Sequence, residues 1–219
     1  LTYFATNQEL QKKTIEQLLE EKFAPYIGLT REKMASKLGV TVNPKHKSFI
    51  PTLISALLGV KGTKLDSIAE FAKANIQFKT VRLKKNGQPK ESMSFTNIHF
   101  TEIVKEEWED SFLYNYFSET KLLFVVFQFD ENDVLYFKGI KLWQMPEETI
   151  ENELFDYWTE IRRVVNEGVQ FVQTKNGTGN NLPGSKFNGK FHVRPKGRDS
   201  SDTVALPDGQ MIAKQCYWM

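Results

Sequence analysis

The chain has 219 residues, 40% hydrophobic and 26% charged, with 17 Phe and 4 Trp. That composition suits a well-packed core and excludes intrinsic disorder. A single cysteine, Cys216, excludes an internal disulfide and a cysteine-based zinc site and points to a reducing, cytoplasmic setting. The longest purely apolar run, residues 122–127, is far too short to span a bilayer, and no signal peptide is visible.

The net charge of +2 conceals an uneven distribution. Residues 173–198 hold Lys175, Lys186, Lys190, Arg194, Lys196 and Arg198 and no acid, whereas residues 102–160 are acidic. The chain opens on Leu1 rather than Met and ends at Met219 in what reads as an unfinished strand. A fragment of a longer protein is therefore expected.

In chain order, Asn7 can cap a helix reaching about Phe23, with Leu10, Ile15, Leu18, Leu19 and Phe23 on one stripe. Thr30 can cap a short helix ending at Gly39. A third helix starts near Ser48, tolerates Pro51 in its first turn and ends at Gly59. Residues 66–75 fit either a helix or a strand with a turn. Residues 76–83 alternate as a strand, Asn86-Gly87 is the strongest hairpin signal, and residues 91–100 form the returning strand. Residues 102–117 read as helix, 121–129 and 134–144 as paired strands, and 146–166 as the longest helix, closed by Gly168. A strand over 169–173, a glycine-rich loop over 175–189 and short strands near 191–194 and 211–217 complete the chain. Helices followed by a sheet with helices packed on it predict a mixed α/β fold.

One strand carries a chemical pattern. Many metal-dependent nucleases present Glu-x-Lys on one strand face after an Asp. The carboxylates hold Mg²⁺, which activates water, and the Lys stabilises developing charge. Here Gln77 and Lys79 share such a face after Glu70. An amide brings a dipole and no charge, so one carboxylate is left to hold the ion. Taken alone, Gln77 and Lys79 are an ordinary solvated strand face.

Other segments extend the pattern. Glu70-Phe71-Ala72, Ile76-Gln77-Phe78-Lys79-Thr80 and Gly87-Gln88-Pro89-Lys90-Glu91 resemble, in order and spacing, the core of the MutH endonuclease family and its related GATC-specific type II restriction enzymes. Residues 53–59, Trp108-Glu109-Asp110-Ser111, Arg194-Pro195-Lys196, Leu206-Pro207-Asp208-Gly209 and Ala213-Lys214-Gln215 are similar to further family segments. The resemblance covers about three quarters of the chain. It implies a restriction-endonuclease-like core in a single domain over residues 1–219, a central mixed sheet flanked by helices. A helical N-terminal arm would occupy residues 1–60, and a sheet core with a basic recognition segment residues 61–219.

The same resemblance places the family's helix Glu on Ser55, its first Asp on Glu70, its second carboxylate on Gln77 and its Lys on Lys79. A further family lysine falls near Tyr116. Two carboxylates are missing, so no catalytic residue, metal or cofactor is expected in this domain; Mg²⁺ is expected of a catalytic parent domain. Some family enzymes carry two MutH-like domains, the C-terminal one degenerate and thought to bind a second GATC site as an effector. The implied partners are double-stranded DNA and a catalytic MutH-like domain in the same bacterial, cytoplasmic parent chain.

The expected DNA contacts are Lys186, Lys190, Arg194 and Lys196, with Lys214 and Gln215 as second-tier candidates. Cations interleaved with glycine suit a phosphate backbone, and Arg suits guanine. On a strand, His192, Arg194 and Lys196 would share a face, and Pro195 marks an edge. Lys175 reads as a solvated loop charge. His46, His99 and His192 have no metal-ligand spacing. Cys216, like Phe124, Phe127, Phe129, Tyr136 and Phe137, reads as core, and Glu147, Glu148, Glu151 and Glu153 as helix solvation. Two other readings stay open: an active nuclease whose missing carboxylate comes from Glu91 or Glu109, and a protein-interaction module using the acidic middle helix.

Overall fold

Capping chemistry cuts the first expected helix in two. In the computed structural model, which describes residues 1–219, Thr6 caps α1 (Asn7–Lys12) in a reciprocal box with Glu9. Thr14 caps α2 (Ile15–Phe23) in the same way with Gln17. A continuous apolar stripe hides this break, because two threonine boxes outbid helix continuation over residues 12–14. Thr30 caps α3 (Arg31–Leu38), which ends at Gly39 with φ +64°, as expected. α4 (Phe49–Leu57) buries Phe49, Leu53, Ile54 and Leu57. The ambiguous segment becomes the short helix α5 (Ala69–Lys73), held by the burial of Ile68, Ala69 and Phe71.

A mixed three-stranded sheet faces these helices. β1 (Ile76–Leu83) pairs in parallel with β3 (Lys121–Phe129), and β3 pairs antiparallel with β4 (Leu135–Trp143). Asn75, with φ 50°, turns the chain from α5 into β1, and its carbonyl accepts from the Lys121 amide at 3.0 Å. Leu123, Val125, Phe127 and Phe137 pack with Phe23, Met34, Phe49, Leu53 and Phe71 in one core. Phe127 and Phe137 are core as expected, whereas Phe124, Phe129 and Tyr136 are only partly buried.

The Asn86-Gly87 turn forms, with Lys84 and Gln88 bonded across it, but its returning strand does not pair with β1. After the bridge from Leu83 to Pro89 and one further bond, from the Lys90 amide to the Arg82 carbonyl at 2.9 Å, the chain departs. β2 (Ser94–Asn97) joins instead an antiparallel sheet of order β2-β10-β7, with β7 at His192–Pro195 and β10 at Gln215–Trp218.

The chain divides into two compact units. Residues Leu1–Glu91 and Thr120–Gln144 form the first, Ser92–Glu119 and Met145–Met219 the second. The division does not fall at residue 60, because the helical arm and the first sheet share one hydrophobic core.

In the second unit the expected helix over 102–117 is broken. α6 (Phe100–Ile103) and α7 (Phe112–Glu119) flank a 3-10 turn at Trp108–Asp110, and Glu107 and Ser111 are extended. Ser111 accepts the Tyr114 amide at 3.1 Å and so starts α7 afresh. The long helix forms where expected. α8 (Glu147–Thr149) continues through a π turn at Ile150–Leu154 into α9 (Phe155–Glu167), closed by Gly168. The expected glycine-rich loop carries part of a hairpin, β5 (Phe171–Thr174) with β6 (Gly177–Asn180). A second hairpin, β8 (Thr203–Ala205) with β9 (Met211–Ala213), turns at Pro207-Asp208-Gly209. Three-residue strands are too short to show a sequence period. Cys216 is fully buried, as expected.

Candidate functional site

Ser55, Glu70, Gln77 and Lys79 all lie in the first unit, and local hydrogen bonds engage the first two. Glu70, on α5, is 3% exposed, and its carboxylate accepts the backbone amides of Phe4 at 3.2 Å and Ala5 at 3.0 Å. These charge-assisted bonds tie the N-terminal segment to α5. Ser55, on α4, is 2% exposed and donates its hydroxyl to the Thr52 carbonyl at 3.0 Å. Both are interior groups of the fold. Sequence reading gave Glu70 only its family position; its reach to Phe4 and Ala5 spans sixty-five residues and has no local signal.

Gln77 and Lys79 alternate along β1, in register with Leu122 and Phe124. Gln77 is exposed and lines an open depression of about 490 Å³ with Pro51, Lys64, Asp66 and Phe71. Asp66 is its one acidic side chain. Mg²⁺ calls for several hard oxygen donors with negative charge. A buried serine, a carboxylate engaged by two amides and an exposed amide do not supply that set. Glu91, a possible substitute, is ion-paired with Arg82 on the same turn. The position near the further family lysine holds Tyr116, stacked on Phe112 in the second unit, its hydroxyl pushed up to about 12 by burial.

The second unit organises the basic candidates around a residue the sequence reading passed over. β7 is an edge strand, as Pro195 suggested. Trp218, on β10, stands opposite His192 and stacks on it with centroids 6.3 Å apart and planes 20° apart. The Arg194 guanidinium lies 5.4 Å and the Lys196 ammonium 5.7 Å from the same indole ring. Lys196 also bonds the Ser94 hydroxyl. The shared face of His192, Arg194 and Lys196 thus forms, with an aromatic platform beneath it. The register signal for Trp218 was available only once β7 and β10 were known to pair.

His192 itself is interior. It is 5% exposed, its carbonyl accepts the Tyr157 hydroxyl at 2.7 Å, and its Nε2 has no partner. Burial first, then the Arg194 charge, hold the imidazole below its ordinary value, favouring the neutral ring.

The other candidates divide. Lys186 is exposed and makes no ion pair. Lys190 is paired with Glu153, whose carboxyl that hydrogen bond holds low. Lys214 pairs with Asp202 at 2.7 Å. Gln215, expected as a second-tier contact, is 2% exposed and donates its amide to the Ala213 carbonyl at 2.8 Å. Both faces of β10 are covered here, since Cys216 and Tyr217 are buried with it. Arg194, Lys196 and Lys186 remain the cations presented without a carboxylate partner.

Charge separates the units more sharply than the net value suggests. The first unit holds 19 Lys and Arg against 11 Asp and Glu, the second 10 against 16.

Residues 62–153 match the family described as DNA mismatch repair enzyme MutH. Over that stretch the chain is similar to this family. The matched stretch holds Glu70, Gln77, Lys79 and all three strands of the mixed sheet, and the mixed α/β architecture is of the MutH, restriction-endonuclease-like kind. Over 229 aligned residues the chain is 36% identical to the type II restriction enzyme Sau3AI of Staphylococcus aureus, a match covering 96% of this chain and 46% of that protein. The chain therefore spans about half the length of this relative. Arg194, Lys196 and Trp218 lie beyond the MutH-matched stretch. No helix is long and apolar enough to cross a membrane.

Proposed function

We propose that this MutH-like chain binds double-stranded DNA sequence-specifically without cutting it, as an effector domain of a type II restriction endonuclease. The observation that carries the reading is a contrast. Glu70 is buried on backbone amides while Arg194 and Lys196 stay exposed on the Trp218 ring. In this reading Arg194 reads a base edge, since its planar fork matches guanine, and Lys196 neutralises a phosphate. Trp218 restricts both side chains before binding, which lowers the entropy cost of docking them. GATC is the proposed site, by analogy with the family. The cutting belongs to a catalytic MutH-like domain elsewhere in the bacterial parent chain, where Mg²⁺ would act.

Fluorescence anisotropy with GATC and scrambled duplexes at physiological salt tests the proposal. Tighter binding to GATC is expected. Equal affinity, or no binding, overturns it, and a stable complex with a protein partner in place of DNA would redirect it to an interaction module.

A second reading, residual Mg²⁺-dependent nicking, draws on Lys79 and on Asp66 beside Gln77. A nicking assay with this chain decides between them, with no product expected.

A further inference from the structure

The Lys84–Lys90 turn of the first unit carries a cationic notch unrelated to the β1 positions and to the Trp218 face. Lys84, Lys85, Asn86, Lys90, Phe129 and Asp133 line an open depression of about 420 Å³. The turn is anchored rather than loose. The Gln128 side chain donates to the Lys84 and Lys85 carbonyls at 3.2 Å each, and the Lys85 ammonium reaches the Glu131 carbonyl at 3.1 Å and Asp133 at 3.4 Å. Lys90 lies over the Phe129 ring at 4.4 Å.

Lys85 therefore neutralises the single acid of the notch, and neither Lys84 nor Lys90 has a carboxylate within ion-pairing distance. Holding two uncompensated ammoniums at one depression costs mutual repulsion, which a bound anion removes. The surrounding unit has an excess of eight positive charges. Its field favours a polyanion over a lone ion. The notch is open, suiting a strand that passes across it.

We infer that this notch is a phosphodiester contact that grips nucleic-acid backbone without reading sequence. The inference rests on the DNA-binding reading above and adds a site in the unit that reading leaves unused. Lysine ammoniums act as point charges on phosphate and carry no base information.

The test is a Lys84→Gln/Lys90→Gln double variant of the full chain, its fold checked by thermal melting. Affinity for a GATC duplex and a scrambled duplex is measured from low to physiological salt. The double variant should lose roughly tenfold in affinity for both duplexes alike, with a log–log salt slope shallower by about 1 to 2. A Lys12→Gln/Lys33→Gln variant, which removes two exposed charges elsewhere in the same unit, should leave the slope near wild type.

If wild type binds GATC but the notch variant keeps its slope and affinity, this inference fails and the proposed function stands. If the two double variants behave alike, a localised site is likewise overturned. If wild type binds no duplex, both fail. Inorganic phosphate supplies the last arm. Saturable movement of the Gly87 and Gln88 amide resonances at low phosphate concentration, without any effect of the notch variant on duplex binding, would make the notch a small-anion site and overturn the assignment.

Discussion

The two units treat charge in opposite ways. The first has an excess of cations, yet one of its acids, Glu70, lies buried as a fastener for Phe4 and Ala5. The second has an excess of acid, yet presents Arg194 and Lys196 on an exposed strand edge. Net charge thus says little about where a polyanion would sit. What matters is which charges already have partners. Glu153 takes Lys190 and Asp202 takes Lys214. The turn at Lys84 and the face at Trp218 keep theirs available.

The largest expected effect falls on the first unit. Glu70→Ala removes the acceptor of two amides and should destabilise the fold by about 2–4 kcal/mol, the scale for orphaning buried hydrogen-bond donors. Urea unfolding measures this. A loss below about 0.5 kcal/mol, the range of ordinary surface changes, would break the contrast, because Glu70 would then be free for other work.

In the second unit, Arg194→Ala should weaken GATC binding by about 1–3 kcal/mol and scrambled binding less. Trp218→Ala should reproduce much of that loss, and Trp218→Phe should recover part of it by restoring a ring. Lys190→Ala, which breaks an existing pair with Glu153, should lower both affinities slightly and equally. Anisotropy titrations of the four variants give the order. If Lys190 matters more than Arg194, the base reader and the backbone contact have been exchanged.

A smaller effect follows from His192. Its folded-state value lies below the ordinary 6.5. The unfolded chain therefore takes up its proton first as pH falls. Stability from this group is complete above about pH 6.5 and declines below it, towards the depressed folded value. Thermal melts from pH 7.5 to pH 5 should show a shallow fall that His192→Phe reduces. An unchanged slope would mean that the ring does not titrate differently on folding.

The smallest expected effect is none at all. Gln77→Glu should not produce Mg²⁺-dependent cutting, since Ser55 stays a buried hydroxyl and Glu70 stays bound to amides. Cleavage by this single variant would erase the distinction between the units.

Much of the fold was legible where one local signal dominated. Thr30 and Gly39 bounded α3, an imperfect alternation marked β1, and Pro146 and Gly168 bracketed the long helix. Reading failed where two local signals competed. The Thr14 box interrupted a continuous apolar stripe, and Ser111 restarted a helix that composition alone would have run through. It failed also at the Asn86-Gly87 turn, whose chemistry was right but whose second arm found its partner more than a hundred residues away, on β10.

The sequence by itself determined the mixed α/β character, the alternation of Gln77 with Lys79 on one strand, and the basic alternation through Arg194 and Lys196. These are matters of residue type and short spacing, which backbone period converts directly into shared faces. Only the tertiary structure decided which of those groups are available. It turned Gln215 inward, bound Glu70 to Phe4 and Ala5, paired Lys190 and Lys214 with acids, and set Trp218 beneath the two exposed cations. Availability depends on partners brought from distant parts of the chain, and a buried polar group must find such a partner or pay the cost of desolvation.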